Sequence, residues 1–299
     1  MDLPEVGPWA KEKLAALGRY LDFYTTVLKK TPWWQKLYFD AYAGGGRAVV
    51  RRATTAEPEN PNQVLLLDDI ASIDPDEREL IDGSPRVALS TANSFDRYVF
   101  VDPDPARAAE LRALKAESGK PVEVLELTAS AGVDWLLTQK ISKKTHRGVA
   151  FLDPFGAKLD WDSVQKLAAT GLFEVFVNFA LDMAIVRMLT NSAELPPAWM
   201  DRLDRYFGGR QWFDEVYHKP EGLFGLGGLE KRPDYRERLL ELYRSKLRDA
   251  FGFVSTPRLI RSTRGAPLYY LLWAGPNKKG LEGADYILKM GELLPKGDR

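Results

Sequence analysis

The chain has 299 residues, is 45% hydrophobic, and carries 42 basic against 42 acidic side chains. That supplies core for one large α/β domain, and the zero net charge argues against a strongly basic nucleic-acid binder while leaving a local basic face open. The absence of cysteine excludes disulfides, thiolate metal sites and cysteine nucleophiles; it suits a reducing cytoplasm.

The two histidines, His146 and His218, lie far apart and give no zinc-ligand spacing, so no metal site is expected. No apolar run approaches a membrane span, and Met1–Glu5 lacks the basic start of a signal peptide.

In chain order, Leu14, Leu17, Leu21, Tyr24 and Leu28 recur at steps of three and four. This predicts a core-packing helix over about Trp9–Lys30, stopped by Pro32. Lys36–Ala43 reads as a strand before three glycines. Residues 51–83 read as an acidic, turn-rich excursion in which Val64–Leu67 fits either a short strand or a buried helical turn. Ser84 is the expected N-cap, with Pro85 at the first helical position, of a helix reaching Asn93.

Strands are then expected at Arg97–Asp102, Val122–Leu127, Gly148–Leu152 and Glu174–Phe179. Helices fall between them, near Pro103–Glu117, Val133–Lys140 and Asp162–Thr170. Strand–helix alternation of this kind predicts a parallel sheet with helices on both faces. Residues 183–232 read as a helical or lid insertion containing the loop Gly222–Gly228. A helix at Tyr235–Phe251, strands at Arg258–Arg261 and Leu268–Ala274 that pair antiparallel, and a helix at 281–294 close a single 1–299 domain.

Three strand ends carry the chemistry. In open α/β sheets, ligands bind outside the carboxyl ends of the strands. Asp40-Ala41-Tyr42-Ala43-Gly44-Gly45-Gly46 puts a carboxylate at one strand end and glycines where a backbone must approach a ligand. An ordinary strand-to-helix turn has the same look. Asp102 ends the next strand, placed to bind ribose hydroxyls or to cap a helix; Asp104 is the alternative cap.

Asp153-Pro154-Phe155-Gly156 ends the fourth strand of the sheet. An Asp side chain, a Pro-fixed carbonyl and an aromatic ring could hold an exocyclic amine and its base. The bland reading is a turn with Asp153 capping and Phe155 in the core. Thr128 follows the third strand, with a hydroxyl that can both donate and accept.

Basic residues gather twice. Lys140, Lys143, Lys144, His146 and Arg147 precede the fourth strand, at the amino end of the sheet, and read as a solvated turn. Arg244, Lys246, Arg248, Arg258, Arg261, Arg264, Lys278 and Lys279 read as a phosphate-facing surface or a solvated one balanced by acids.

Asp40-x-Tyr42-Ala43-Gly44-x-Gly46 resembles the first motif of S-adenosylmethionine (SAM) dependent amino-methyltransferases. Asp153-Pro154-Phe155-Gly156 resembles their Asp-Pro-Pro-Tyr loop, and more closely the Asp-Pro-Phe-Gly of guanosine-N2 tRNA methyltransferases. With the leading helix, Gly83-Ser84-Pro85, Trp161, Val177-Asn178-Phe179 and Tyr269-Tyr270, the whole chain resembles the three-Cys-motif partner proteins (TcmP).

The resemblance implies a Rossmann-like class I methyltransferase fold, mostly parallel with an antiparallel closing strand. It implies SAM as cofactor, held by Asp40, Ala41, Tyr42, Ala43, Gly44, Gly46, Asp102, Thr128 and Asp153. Asp153, Pro154 and Phe155 are the expected catalytic loop. A nucleobase amine in RNA or DNA is the expected substrate, and a cysteine-motif protein the implied partner. Two rivals stand beside this reading: a non-catalytic binding protein on the same scaffold, and a nuclease, which the lack of a carboxylate cluster disfavours.

Overall fold

A computed structural model describes residues 5–7, 9–50, 79–219 and 228–290. In chain order come β1 (Glu5–Val6), α1 (Trp9–Leu28), β2 (Gln35–Asp40), β3 (Arg47–Val50), β4 (Glu79–Asp82) and α2 (Ser84–Leu89). Next are β5 (Arg97–Val101), α3 (Pro105–Ser118), β6 (Val122–Leu125), α4 (Ala129–Leu137), β7 (His146–Leu152), α5 (Trp161–Ala169) and β8 (Phe173–Phe179). A π-helical turn (Leu181–Ile185) runs into α6 (Val186–Met188), followed by α7 (Pro197–Phe207), α8 (Gln211–Val216), β9 (Tyr217–His218) and β10 (Glu230–Lys231). Then come α9 (Tyr235–Phe251), β11 (Phe253–Val254), β12 (Arg258–Arg261), β13 (Pro267–Gly275) and α10 (Lys278–Met290).

The main sheet runs β6-β5-β2-β7-β8-β13, with β11 and β12 both on the outer side of β13. β6, β5, β2, β7 and β8 are parallel; β13 is antiparallel to β8 and to both outer strands. This is a Rossmann-like fold with an antiparallel closing strand. The order reverses at β2, which pairs with β5 on one side and β7 on the other. The crevice at that reversal is the place where such sheets bind ligands.

Alternation explains why the strands lie where they do. Leu37, Phe39, Val99, Val101, Ala150, Leu152, Val175 and Val177 enter one core, with α4, α5, α7 and α9. Their neighbours Tyr38, Tyr98, Phe100, Val149, Phe151 and Phe176 enter the other, with α1, α2, α3 and α10. Side chains alternate across a strand, so continuous apolar runs are what a sheet covered on both faces requires. Each fully buried side chain of this size contributes roughly 1.5–3 kcal/mol, which outweighs local propensity.

Several sequence expectations are corrected. β2 stops at Asp40, not Ala43, because the Tyr42 amide turns back to the Asp40 carboxylate (3.2 Å). Ala41 donates to Phe151 O (3.2 Å) and Ala43 to Val101 O (3.0 Å). Gly83, not Ser84, is the N-cap of α2, and the Ser84 hydroxyl goes to Asp40. α2 ends at Leu89, not Asn93, where Ser90 and Thr91 hydroxyls bond back to Val87 O and Ala88 O.

α4 starts four residues early, capped by Thr128. β3 and β4 form an antiparallel pair, with β1 beside β3, that the sequence reading missed. Among its described residues, the 183–232 stretch is helical only in pieces and includes the β9–β10 pair. The expected segments at Val64–Leu67, Gly222–Gly227 and 291–294 lie outside the described residues, as does most of the 51–83 excursion.

Candidate functional site

Asp40 sits at the carboxyl end of β2 and is fully buried. It accepts from Tyr42 N (3.2 Å), Tyr38 OH (3.2 Å) and the Ser84 hydroxyl. Burial raises its pKa to about 7; the nearby Asp153 charge adds to the rise, and the three donors oppose it.

The next residues form the loop above it. Gly44 and Gly46 have φ of 61° and 81°, a region glycine enters without strain. Among the described residues, a Cβ on Gly44 would meet nothing within 4 Å, so the backbone there faces open space. Asp102, at the end of β5, braces this loop. Its carboxylate accepts from Gly44 N (3.1 Å) and Asp104 N (2.9 Å) and lies 3.8 Å from Arg107. Asp104, not Asp102, caps α3 through Ala106 N and Arg107 N.

Across the reversal, Asp153 follows β7. Asn178 Nδ2 of β8 donates to Asp153 Oδ1 at 2.7 Å. The Lys13 ammonium of α1 binds the other oxygen. Lys13 also lies 5.5 Å from the centre of the Tyr269 ring of β13. The Oδ1 of Asn178 is buried and has no hydrogen-bond partner among the described residues. Three elements thus meet at one carboxylate, α1, β7 and β8, with β13 packed against its lysine partner.

The loop after Asp153 divides into a fixed and a free part. Pro154 is buried, while Phe155 is 85% exposed. Gly156 turns the chain at φ 74°. Tyr42 OH donates to Lys158 O (3.1 Å), tying the glycine loop to the Asp153 loop. Burial holds the Tyr42 phenol above its ordinary range, so it stays a donor. Asp40, Ala41, Tyr42, Ala43, Gly44 and Asp102 therefore form one bonded loop system joined to the Asp153 loop. Thr128 stands apart: it is exposed, and its hydroxyl accepts from Ala131 N (3.3 Å) as the cap of α4.

No family model and no curated protein matches the chain.

Among solved structures, a Legionella pneumophila protein described by the family model DUF519 is similar over 92% of this chain and 90% of its own. The identity is 14% and the TM-score 0.46. A proposed methyltransferase, YhhF of Escherichia coli, is similar over 87% of each chain, at 13% identity and TM-score 0.33.

Lys13, Ser84, Asn178 and Tyr269 are the site residues that sequence reasoning missed. Two of them left a signal. Lys13 lies four residues before Leu17 and eight before Leu21, a charge on the apolar stripe of α1. Asn178 interrupts the apolar run Val175-Phe176-Val177, where a buried polar residue needs a reason. One member of the distant basic group is also corrected. Arg258 is 2% exposed and binds Glu12 and Leu288 O (3.1 Å), so it faces no phosphate. Among the described residues, no group of three or more candidate ligands gathers for a metal, and no helix is long and apolar enough to cross a membrane.

Proposed function

We propose that this chain is a SAM-dependent methyltransferase acting on an exocyclic amine of a nucleobase in RNA or DNA. One observation carries the reading. The buried Asp40 loop and the Asp153 loop meet at the sheet's order reversal and are bonded through Tyr42.

The residues present fit the cofactor. Gly44 and Gly46 expose backbone that a ligand can approach, and Gly44 has open space above it. Asp40, Ala41, Tyr42 and Ala43 would surround the methionine end. Asp102 would meet the ribose with the lone pairs left over from its two backbone amides. Thr128 is spent as a helix cap, so the adenine edge falls to backbone groups beside it. SAM, when bound, supplies an electrophilic methyl group.

The chain's own part is to hold the amine. Asp153 accepts from the target NH2 and turns its lone pair, with the Pro154 carbonyl as a second acceptor. Phe155 presents a ring on which a base can stack. Lys13 balances the Asp153 charge and fixes its orientation. The proton leaves the amine after transfer, so no strong base is needed.

The test is transfer of a labelled methyl group from SAM to bulk RNA and DNA. Asp153→Ala should abolish turnover and leave SAM binding largely intact; retained turnover would sink the assignment.

A second reading, a non-catalytic partner of a three-Cys-motif protein, is favoured by one fact. Both Asp153 oxygens are already engaged, by Asn178 and Lys13. Under that reading no nucleic acid is methylated, with or without the cysteine-motif protein.

A further inference from the structure

The amino ends of β2 and β7 lie at the opposite edge of the sheet from Asp40 and Asp153. Two connections meet there, residues 29–34 after α1 and residues 138–145 before β7, with Gln35 N donating to Thr145 O at 2.9 Å. Trp33 is 67% exposed, the most exposed tryptophan among the described residues. Its ring centre is 5.9 Å from that of Trp34. The Arg147 guanidinium lies 3.8 Å from the centre of the Trp34 ring and is held by the carbonyls of Lys143 and His146. An open cleft of about 760 Å³ is lined by Trp33, Gln35, Arg97, Gln139, Lys140 and His146.

The charge around this cleft is unbalanced. Lys29, Lys30, Lys140, Lys143 and Lys144 are exposed, and none has an ion-pair partner among the described residues. The carboxylates at the amino ends of β5 and β6 are already taken: Asp96 by Lys36 (3.8 Å) and Glu123 by Arg97 (2.5 Å). In a chain of zero net charge, this local excess of cations is a feature of the surface and not of the composition.

We propose that this edge docks single-stranded nucleic acid. Trp33 stacks a base, and Lys140, Lys143 and Lys144 face phosphates. A single strand alternates flat apolar bases with anionic phosphates, which is the complement of an exposed indole among unpaired lysines. A small anion has no use for the indole. The six residues of β2 put this edge roughly 16–20 Å from Asp40, so the docked nucleotides are not the ones that reach Asp153. They add binding energy remote from the reacting base. The inference rests on the nucleic-acid reading above for its class of partner, and on this geometry for its place.

The experiment is fluorescence anisotropy of a labelled mixed-sequence RNA of about twenty nucleotides, titrated with the full chain at several salt concentrations and without SAM. Wild type should bind in a salt-dependent way. The triple variant Lys140→Glu, Lys143→Glu, Lys144→Glu should bind about tenfold or more weakly, with its salt slope reduced by about 2. Trp33→Ala should weaken binding about tenfold with the slope unchanged. Lys278→Glu with Lys279→Glu, on the exposed start of α10, should change nothing.

Absence of binding at low salt, or equal affinity of all variants, would overturn the proposal. Because no turnover is measured, that failure leaves the methyl-transfer reading standing. Conversely, absent methyl transfer with intact RNA binding would sink only the function.

Discussion

Lys13 of α1 and Asp153 after β7, 140 residues apart in sequence, form an ion pair in which both side chains are largely shielded from water. The first helix is therefore part of the site and not only core packing. Partial burial makes the pair worth more than an exposed salt bridge, and Asn178 completes the carboxylate's hydrogen bonding. Lys13→Met should lower methyl-transfer turnover about tenfold or more while SAM affinity changes little, because the interaction acts on the target-binding carboxylate. Lys13→Arg should recover part of the loss. Equal loss of SAM binding and turnover would place Lys13 in the scaffold.

Two buried carboxyls give stability a downward pH dependence, against which His146, its pKa lowered by burial, works in the opposite sense. Burial raises Asp40 from 3.8 to about 7 and Glu174 from 4.5 to about 7. Glu174 is held by Tyr20, whose hydroxyl also accepts from Trp273 Nε1 at 2.7 Å. Both folded values lie above the unfolded ones, so the folded state holds these protons more tightly. Their stabilisation is complete below the ordinary carboxyl range and is lost as pH rises through about 7. Each group adds a downward slope of up to about 1.4 kcal/mol per pH unit within that window. Urea unfolding from about pH 5 to 8 should show the decline, and Asp40→Asn and Glu174→Gln should each flatten it. A flat wild-type profile would contradict this.

Gly44 separates folding from binding. Its φ of 61° costs an L-residue about 1 kcal/mol, but a Cβ there meets nothing within 4 Å among the described residues. Gly44→Ala should therefore fold with a small drop in melting temperature. It should lose far more in SAM affinity, since the methyl group enters the space a ligand would use. A variant with unchanged affinity would remove this loop from the cofactor site.

Arg258 ties α1, β12 and α10 together through Glu12 and the Leu288 carbonyl. Glu12→Ala leaves a buried guanidinium with one neutral acceptor. The Glu12 side chain is 42% exposed, so water offsets part of the loss. Destabilisation of about 2 kcal/mol is expected by urea unfolding. A cost under about 0.5 kcal/mol would mean that the pair is solvent-screened.

Much of the sheet was legible because β2, β5, β7 and β8 are apolar on both faces and end in an acid or a turn. Asp40, Asp102 and Asp153 stood out for the same reason: each is the first polar residue after a buried run. What they bind was not legible. Asp102 is engaged by backbone amides of two loops, and Asp153 by side chains from α1 and β8. Such partners come from tertiary pairing, which spacing does not encode. Ser84 was misread because two uses of its hydroxyl compete, and the bond to Asp40 wins over the helix cap. The β3–β4 pair escaped because four-residue strands separated by 28 residues carry too little periodicity.

The most direct measurement is calorimetric titration of the purified chain with SAM, with Asp102→Ala alongside. Saturable heat is expected for wild type and is lost in the variant, whose Gly44 loop is no longer braced. No heat from wild type would contradict the cofactor assignment and leave the binding-partner reading in its place.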